Sequence, residues 1–180
     1  MRQQALGALI GAGFGTAFVF FNAGSPVPGA LGLVLRILAV VTLAAVVALG
    51  IRARRLPSPA EDGAEDGRPS LFGKSYRLIV LAELIAFVGA FVVLRAVHAA
   101  PEAPVAVIAL IVGIHFLLLG PVWHARSIAV IGGVLSALGV VGLILLATPA
   151  ITWTPFVSGV LSGATLLTGS LLSTARATRA

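Results

Sequence analysis

Six stretches of roughly 20 predominantly apolar residues, at 4–22, 30–51, 76–97, 104–123, 127–148 and 154–173, alternate along the chain with short breaks rich in proline or charge. At 1.5 Å of rise per residue, each stretch is long enough to cross a hydrocarbon layer of about 30 Å. In such a solvent the backbone finds no water, so a crossing segment must satisfy its own N–H and C=O groups, and the helix is the form that does so within one segment. The breaks have their own chemistry. Asn22 to Gly29 contains Pro26 and Pro28, Pro101 and Pro104 separate the third and fourth stretches, His124 to Arg126 the next pair, and Pro149 and Pro155 the last. The pattern predicts an all-α, polytopic transmembrane helical bundle of about six spans, forming a single membrane domain over residues 1–180.

Composition narrows this further. Of the residues, 59% are hydrophobic and 10% charged, and mean hydropathy is +1.11. A soluble domain carries about 25% charged residues and needs them to cover its surface. Here they are concentrated in the breaks, so lipid is the expected outer solvent. Cysteine is absent, which removes disulfides, thiolate nucleophiles and cysteine-held metal centres. A net charge of +6 suggests nucleic acid only where basic residues form a face. These sit at span ends, and no nucleic-acid partner is expected.

The basic residues instead set an orientation, because Lys and Arg are retained on the cytoplasmic side during insertion. With the N-terminus inside, Arg2, Arg52, Arg54, Arg55, Arg68, Lys74, Arg77, Arg126, Arg176 and Arg179 all fall inside. Only Arg95 lies near an outer end, and Arg36 lies within a span. Both termini are therefore expected in the cytoplasm of a cell whose inner membrane holds the protein. The first apolar run, about 18 residues long, exceeds a signal-peptide core of 7 to 15 and is read as a retained helix. The polar segment 52–75, with Glu61, Asp62, Glu65 and Asp66 among Pro, Ser, Ala and Gly, reads as a solvated cytoplasmic loop. Its arginines stop transfer or, alternatively, attract anionic lipid.

Small residues give the packing. Gly7, Gly11 and Gly15 recur every four residues in the first span, as do Gly132 with Ser136, and Gly159 with Gly163. Such faces let helix backbones approach closely. Gly11-Ala12-Gly13-Phe14-Gly15 lacks the preceding strand and downstream acid of a phosphate-binding loop. Ser158 and Ser162 precede glycines at the same spacing and are read as packing rather than as nucleophiles. No aspartate lies in any span, which excludes paired-aspartate intramembrane proteolysis.

Three ionisable residues within spans are the candidates for chemistry. An acid in hydrocarbon costs several kcal/mol unless it is protonated, paired or hydrated, so Glu83 is expected to face inward. Glu83 and His115 are equidistant from residue 99 in the turn joining the third and fourth spans, so the two lie at one depth on adjacent helices. Facing each other, they can share a proton or grip a polar ligand, or simply hold the hairpin in register. Arg36 can snorkel outward or turn inward as an electrostatic partner to Glu83. Tyr76, Trp123 and Trp153 near span ends read as interfacial anchors. His98 and His124 fall at opposite surfaces, so the three histidines cannot converge on one metal, and no metal or cofactor is expected.

Val112, Gly113, Ile114, His115 and Phe116, followed by leucines, form a Gly-aliphatic-His-Phe stretch that resembles one in uncharacterised small bacterial six-span integral membrane proteins. It covers about ten residues, and such proteins often carry Pro and Ala where this chain has Leu118 and Gly120. The resemblance implies a membrane protein and supplies no mechanism. Three functions stay open for a protein surrounded by membrane lipid: a transporter-like or ligand-binding protein with a protonatable site at Glu83 and His115 and Arg36 as electrostatic partner; a non-catalytic subunit or scaffold that packs through its glycine faces against another copy or a membrane partner; and an intramembrane enzyme acting on a lipid or quinone, which would use the same His115 and Glu83 as acid and base.

Overall fold

The computed structural model describes the backbone of residues 2–55 and 73–178, with side chains described over 6–53 and 73–178. Six α-helices account for nearly all of it: α1 (Arg2–Asn22), α2 (Gly29–Arg55), α3 (Lys74–Ala96), α4 (Ala103–Val122), α5 (Arg126–Leu145) and α6 (Leu161–Ala177). A 3₁₀ turn, Ile151–Trp153, and a π turn, Pro155–Val160, lead into α6. The chain is an integral membrane protein with a helical transmembrane bundle. Among the described residues five helical segments, α2, α3, α4, α5 and the run Ile151–Ala177 that ends in α6, are long and apolar enough to span a bilayer, and α1 contributes a shorter apolar run, Leu6–Asn22.

Helix ends differ from the hydrophobic pattern where local chemistry intervenes. α2 runs to Arg55, four residues past the apolar stretch, since Arg and Ala are strong helix formers. α5 stops at Leu145 rather than 148. Pro149 disfavours helical geometry at the residue before it, and Thr148 closes the end by donating Oγ1 to Leu145 O at 2.9 Å. The loop charges Glu61, Asp62, Glu65, Asp66 and Arg68, together with Arg179, lie outside the described residues.

α6 is the centre of the bundle. It packs against α1, α2 and α5, and the π turn at its head reaches α1, α4 and α5. Hairpin α1–α2 lies on one flank and hairpin α4–α5 on the other, with α3 packed along α4 at the edge. Helices consecutive in the chain run antiparallel, and α2 runs parallel to α6, so the start of α1, the end of α2, the start of α3 and the end of α6 share one face of the bundle.

Close approach at small residues sets these contacts. A β-carbon at Gly15 would lie 2.8 Å from Gly163 O, and one at Gly163 would lie 2.6 Å from Gly15 O. Gly11 abuts Ser170, and Gly159 abuts the Asn22 side chain. The α1 and α6 glycine faces are thus consumed inside the bundle, except at Gly7, which meets nothing within 4 Å. The α4–α5 hairpin is tighter still: β-carbons at Gly132 and Gly139 would lie 2.6 Å from Leu117 N and 2.5 Å from Leu110 N, and Gly113 abuts the Ser136 backbone. In hydrocarbon, where burying apolar surface gives no advantage over lipid, such van der Waals contact is what holds helices together. Ser158, fully buried in the π turn, donates to Leu138 O of α5 at 2.9 Å. With Gly142 abutting its hydroxyl, it is a packing group rather than a nucleophile.

Candidate functional site

α3 meets α4 along its half-buried positions, Tyr76, Ile79, Val80, Glu83, Phe87, Ala90 and Leu94. Apart from Ile79, which lies beside Val80, their alternating spacing of four and three is that of a left-handed coiled-coil seam. One seam position is occupied by an acid. Glu83 lies two residues before the middle of α3, and His115 lies two to three beyond the middle of α4, so each is within about one turn of mid-helix. The antiparallel register that stacks Tyr76 on Trp123, with centroids 5.9 Å apart and planes 19° apart, brings these two level a pair of turns deeper.

There His115 Nδ1 lies 3.1 Å from Glu83 Oε2. The contact is close, yet Nδ1 has no partner in hydrogen-bond alignment, so the pair retains unused hydrogen-bonding capacity. The His115 ring also lies edge-on to Phe116, 5.6 Å between centroids. His115 Nδ1 itself is buried, while 11% of the histidine side chain and 21% of the glutamate side chain lie at the surface of the helix pair. The only other titratable groups on α3 are Lys74, Tyr76, Arg77 and Arg95 towards its ends, and α4 contributes no other within its length. The elements packed on α4 from behind, α5 and the π turn, bring only Arg126, the first residue of α5, about two turns from the level of His115.

Arg36 goes elsewhere. Its Nε donates to Phe20 O at 3.0 Å, and its guanidinium lies 5.7 Å from the Phe20 ring centroid. Phe20 O is among the last four carbonyls of α1, which lack partners within the helix and carry its negative end. Arg36 therefore satisfies α1 from α2, on the opposite flank of α6 from Glu83. The structure brings Glu83 and His115 together and leaves Arg36 apart from them. The distance follows from the fold: α2 and α3 are consecutive in sequence, yet α2 packs on α1 and α6 while α3 packs on α4.

His98 and His124 lie at opposite ends of the bundle. Each adopts φ 50° just beyond the end of α3 or α4, where it terminates the helix in a Schellman turn. Ala99 N donates to Leu94 O and Ala125 N to Gly120 O, both at 2.9 Å. Among the described residues no three His, Cys, Asp or Glu side chains group together.

A feature that the hydrophobic pattern did not single out is a cleft of about 710 Å³ at the end of the bundle opposite the termini, between α1 and α4 and over Pro155. Phenylalanines clustered at the end of α1 and prolines flanking Glu102 are its marks in the sequence. Neither Glu83 nor His115 lines it. Comparison with known proteins found no matching family model, no matching curated protein and no matching solved structure.

Proposed function

We propose that this chain is a transporter-like or ligand-binding membrane protein whose working centre is the Glu83–His115 pair, a site that holds and exchanges one proton. The observation that carries this reading is the 3.1 Å approach of two ionisable groups from adjacent helices, both still partly accessible. Ionisable groups are costly in hydrocarbon and mark proton and ion pathways. The orientation that fits best places the termini, Arg52, Lys74, Arg77, Arg126 and Arg176 in the cytoplasm of a bacterial inner membrane, following the distribution of basic residues.

The test is proton movement in vesicles reconstituted with the full chain, read by an internal pH-sensitive dye after an external acid jump. Wild type is expected to equilibrate faster than empty vesicles, and Glu83→Gln and His115→Ala each to return the rate to the empty-vesicle value. Equal rates in wild type and both variants would refute the reading.

A second reading, a non-catalytic subunit or scaffold, gains support from α3. Its outward face carries Ala82, Ala86 and Gly89, and Gly89 meets nothing within 4 Å. A partner helix from another copy or another membrane protein fits that face. Gly89→Leu would then break the assembly while leaving the vesicle assay unchanged.

A further inference from the structure

The cleft between α1 and α4 is polar only at its mouth. Its walls are Phe14 and Phe18 of α1 facing Val105 and Ile108 of α4. Asn22, Ser25 and Glu102 stand at the rim. From Asn22 down to Phe14 is eight residues of helix, about 12 Å, and from Glu102 to Ile108 about 9 Å. An apolar trough of that depth, open at a polar rim, matches one short hydrocarbon chain with a polar head.

The rim also selects the charge of that head. Glu102 is the one ionisable residue lining the cleft, and among the described residues it has no ion-pair partner. Asn22 donates Nδ2 to Phe18 O at 2.8 Å, which leaves its Oδ1 as an acceptor. The cleft wall includes the C-terminal end of α1, the negative end of that helix. That same end already holds one cation, the Arg36 guanidinium on Phe20 O. The N-terminus of α4 opposes a cation with a partial charge of about half a unit, which the full charge of Glu102 exceeds. Lining groups that carry negative charge or accept hydrogen bonds, with no basic side chain among them, favour an ammonium over a carboxylate or phosphate.

We infer that this cleft is a binding site for a single-chain alkylammonium, with the hydrocarbon chain between Phe14, Phe18, Val105 and Ile108 and the ammonium on Glu102 and Asn22. The site is separate from Glu83 and His115 and does not depend on the proton-exchange reading.

Thermal unfolding of the full chain in a neutral maltoside detergent tests it, with octylammonium, octanol and octanoate as probes. Octylammonium is expected to raise the unfolding midpoint at lower concentration than octanol, and octanoate least of all. Glu102→Gln is expected to weaken octylammonium about tenfold and to leave octanol unchanged, and as a conservative change near the surface it preserves the fold. Ala17→Trp, which fills the cleft, is expected to remove the response to all three. Equal responses to octylammonium and octanol in wild type would overturn the assignment, as would an amine preference that survives Glu102→Gln. In Glu83→Gln the amine response is expected intact; its loss there would move the amine to the other site and overturn the assignment equally.

Discussion

α4 has two working faces, and they hold their neighbours by different means. Towards α5 it presents Ala106, Gly113 and Gly120, against which Gly142, Ser136 and Ala129 pack almost backbone to backbone. Towards α3 it presents His115 to a seam of larger side chains, and α3 keeps no buried residue at all. The first contact gains its strength from closeness, summed over many weak dispersion contacts. The second has less contact to sum and includes one polar pair. Hydrocarbon as the solvent explains both choices: apolar burial is not rewarded there, which leaves close packing and polar contacts as the means of association.

The largest effect should come from closing the gap that glycine leaves. At Gly132 a β-carbon would meet the backbone of Leu117, which cannot yield unless the helices separate, whereas the adjacent Gly133 meets nothing within 4 Å. Gly132→Leu is therefore expected to cost about 3 kcal/mol or more and to lower the unfolding midpoint sharply or abolish folded protein. Gly133→Leu, of identical chemistry, is expected to change little. Comparable losses from the two would mean that the α4–α5 contact is not the close one described.

The polar seam predicts a smaller effect, and one with a signature of pairing. In a double-mutant cycle of Glu83→Leu and His115→Leu, the coupling energy is expected near 1 kcal/mol, in the range measured for polar contacts between membrane helices. Each single change leaves one polar group facing hydrocarbon, so the double variant should be less destabilised than the sum of the singles. Additive losses would show that the two side chains do not act together in the folded protein.

How much of this the sequence disclosed depends on the range of the interaction. The spans were legible because crossing a bilayer requires about 20 apolar residues, a purely local signal. The level of Glu83 and His115 was legible too, since two helices joined by a short turn have a register fixed by counting. Arg36 was not, because its partner is set by which helices become neighbours, and α2 turned towards α1 and α6 rather than α3. Glycine spacing pointed to close packing in general but not to particular partners: Gly11 and Gly15 were taken up by Ser170 and Gly163, while Gly7 in the same series met nothing. The cleft was invisible for a further reason. It is formed by residues around 14–25, 101–108 and 155, three segments whose convergence no local pattern encodes.

The smallest expected effect separates the two seams most finely. α3 and α4 end in the same way, with His98 and His124 at φ 50° in the position that glycine most often takes. A β-branched residue would be strained there; histidine tolerates the region better but still at a cost, so His98→Gly and His124→Gly should each relieve some strain. Glycine also loosens the unfolded chain, which offsets part of the gain, and the net is expected at about 0.5 kcal/mol or less. Where that gain is seen depends on how each helix is held. α4 is bound on several sides and should unfold only with the whole bundle, so His124→Gly should raise the global unfolding midpoint slightly. α3 is held along one edge, and regions with few contacts open locally at lower free energy than the rest. His98→Gly should then slow hydrogen exchange at the end of α3 without moving the global midpoint. A shift of the midpoint by both variants alike would mean that α3 unfolds together with the bundle, and that its seam with α4 is as strong as the glycine contact on the other side.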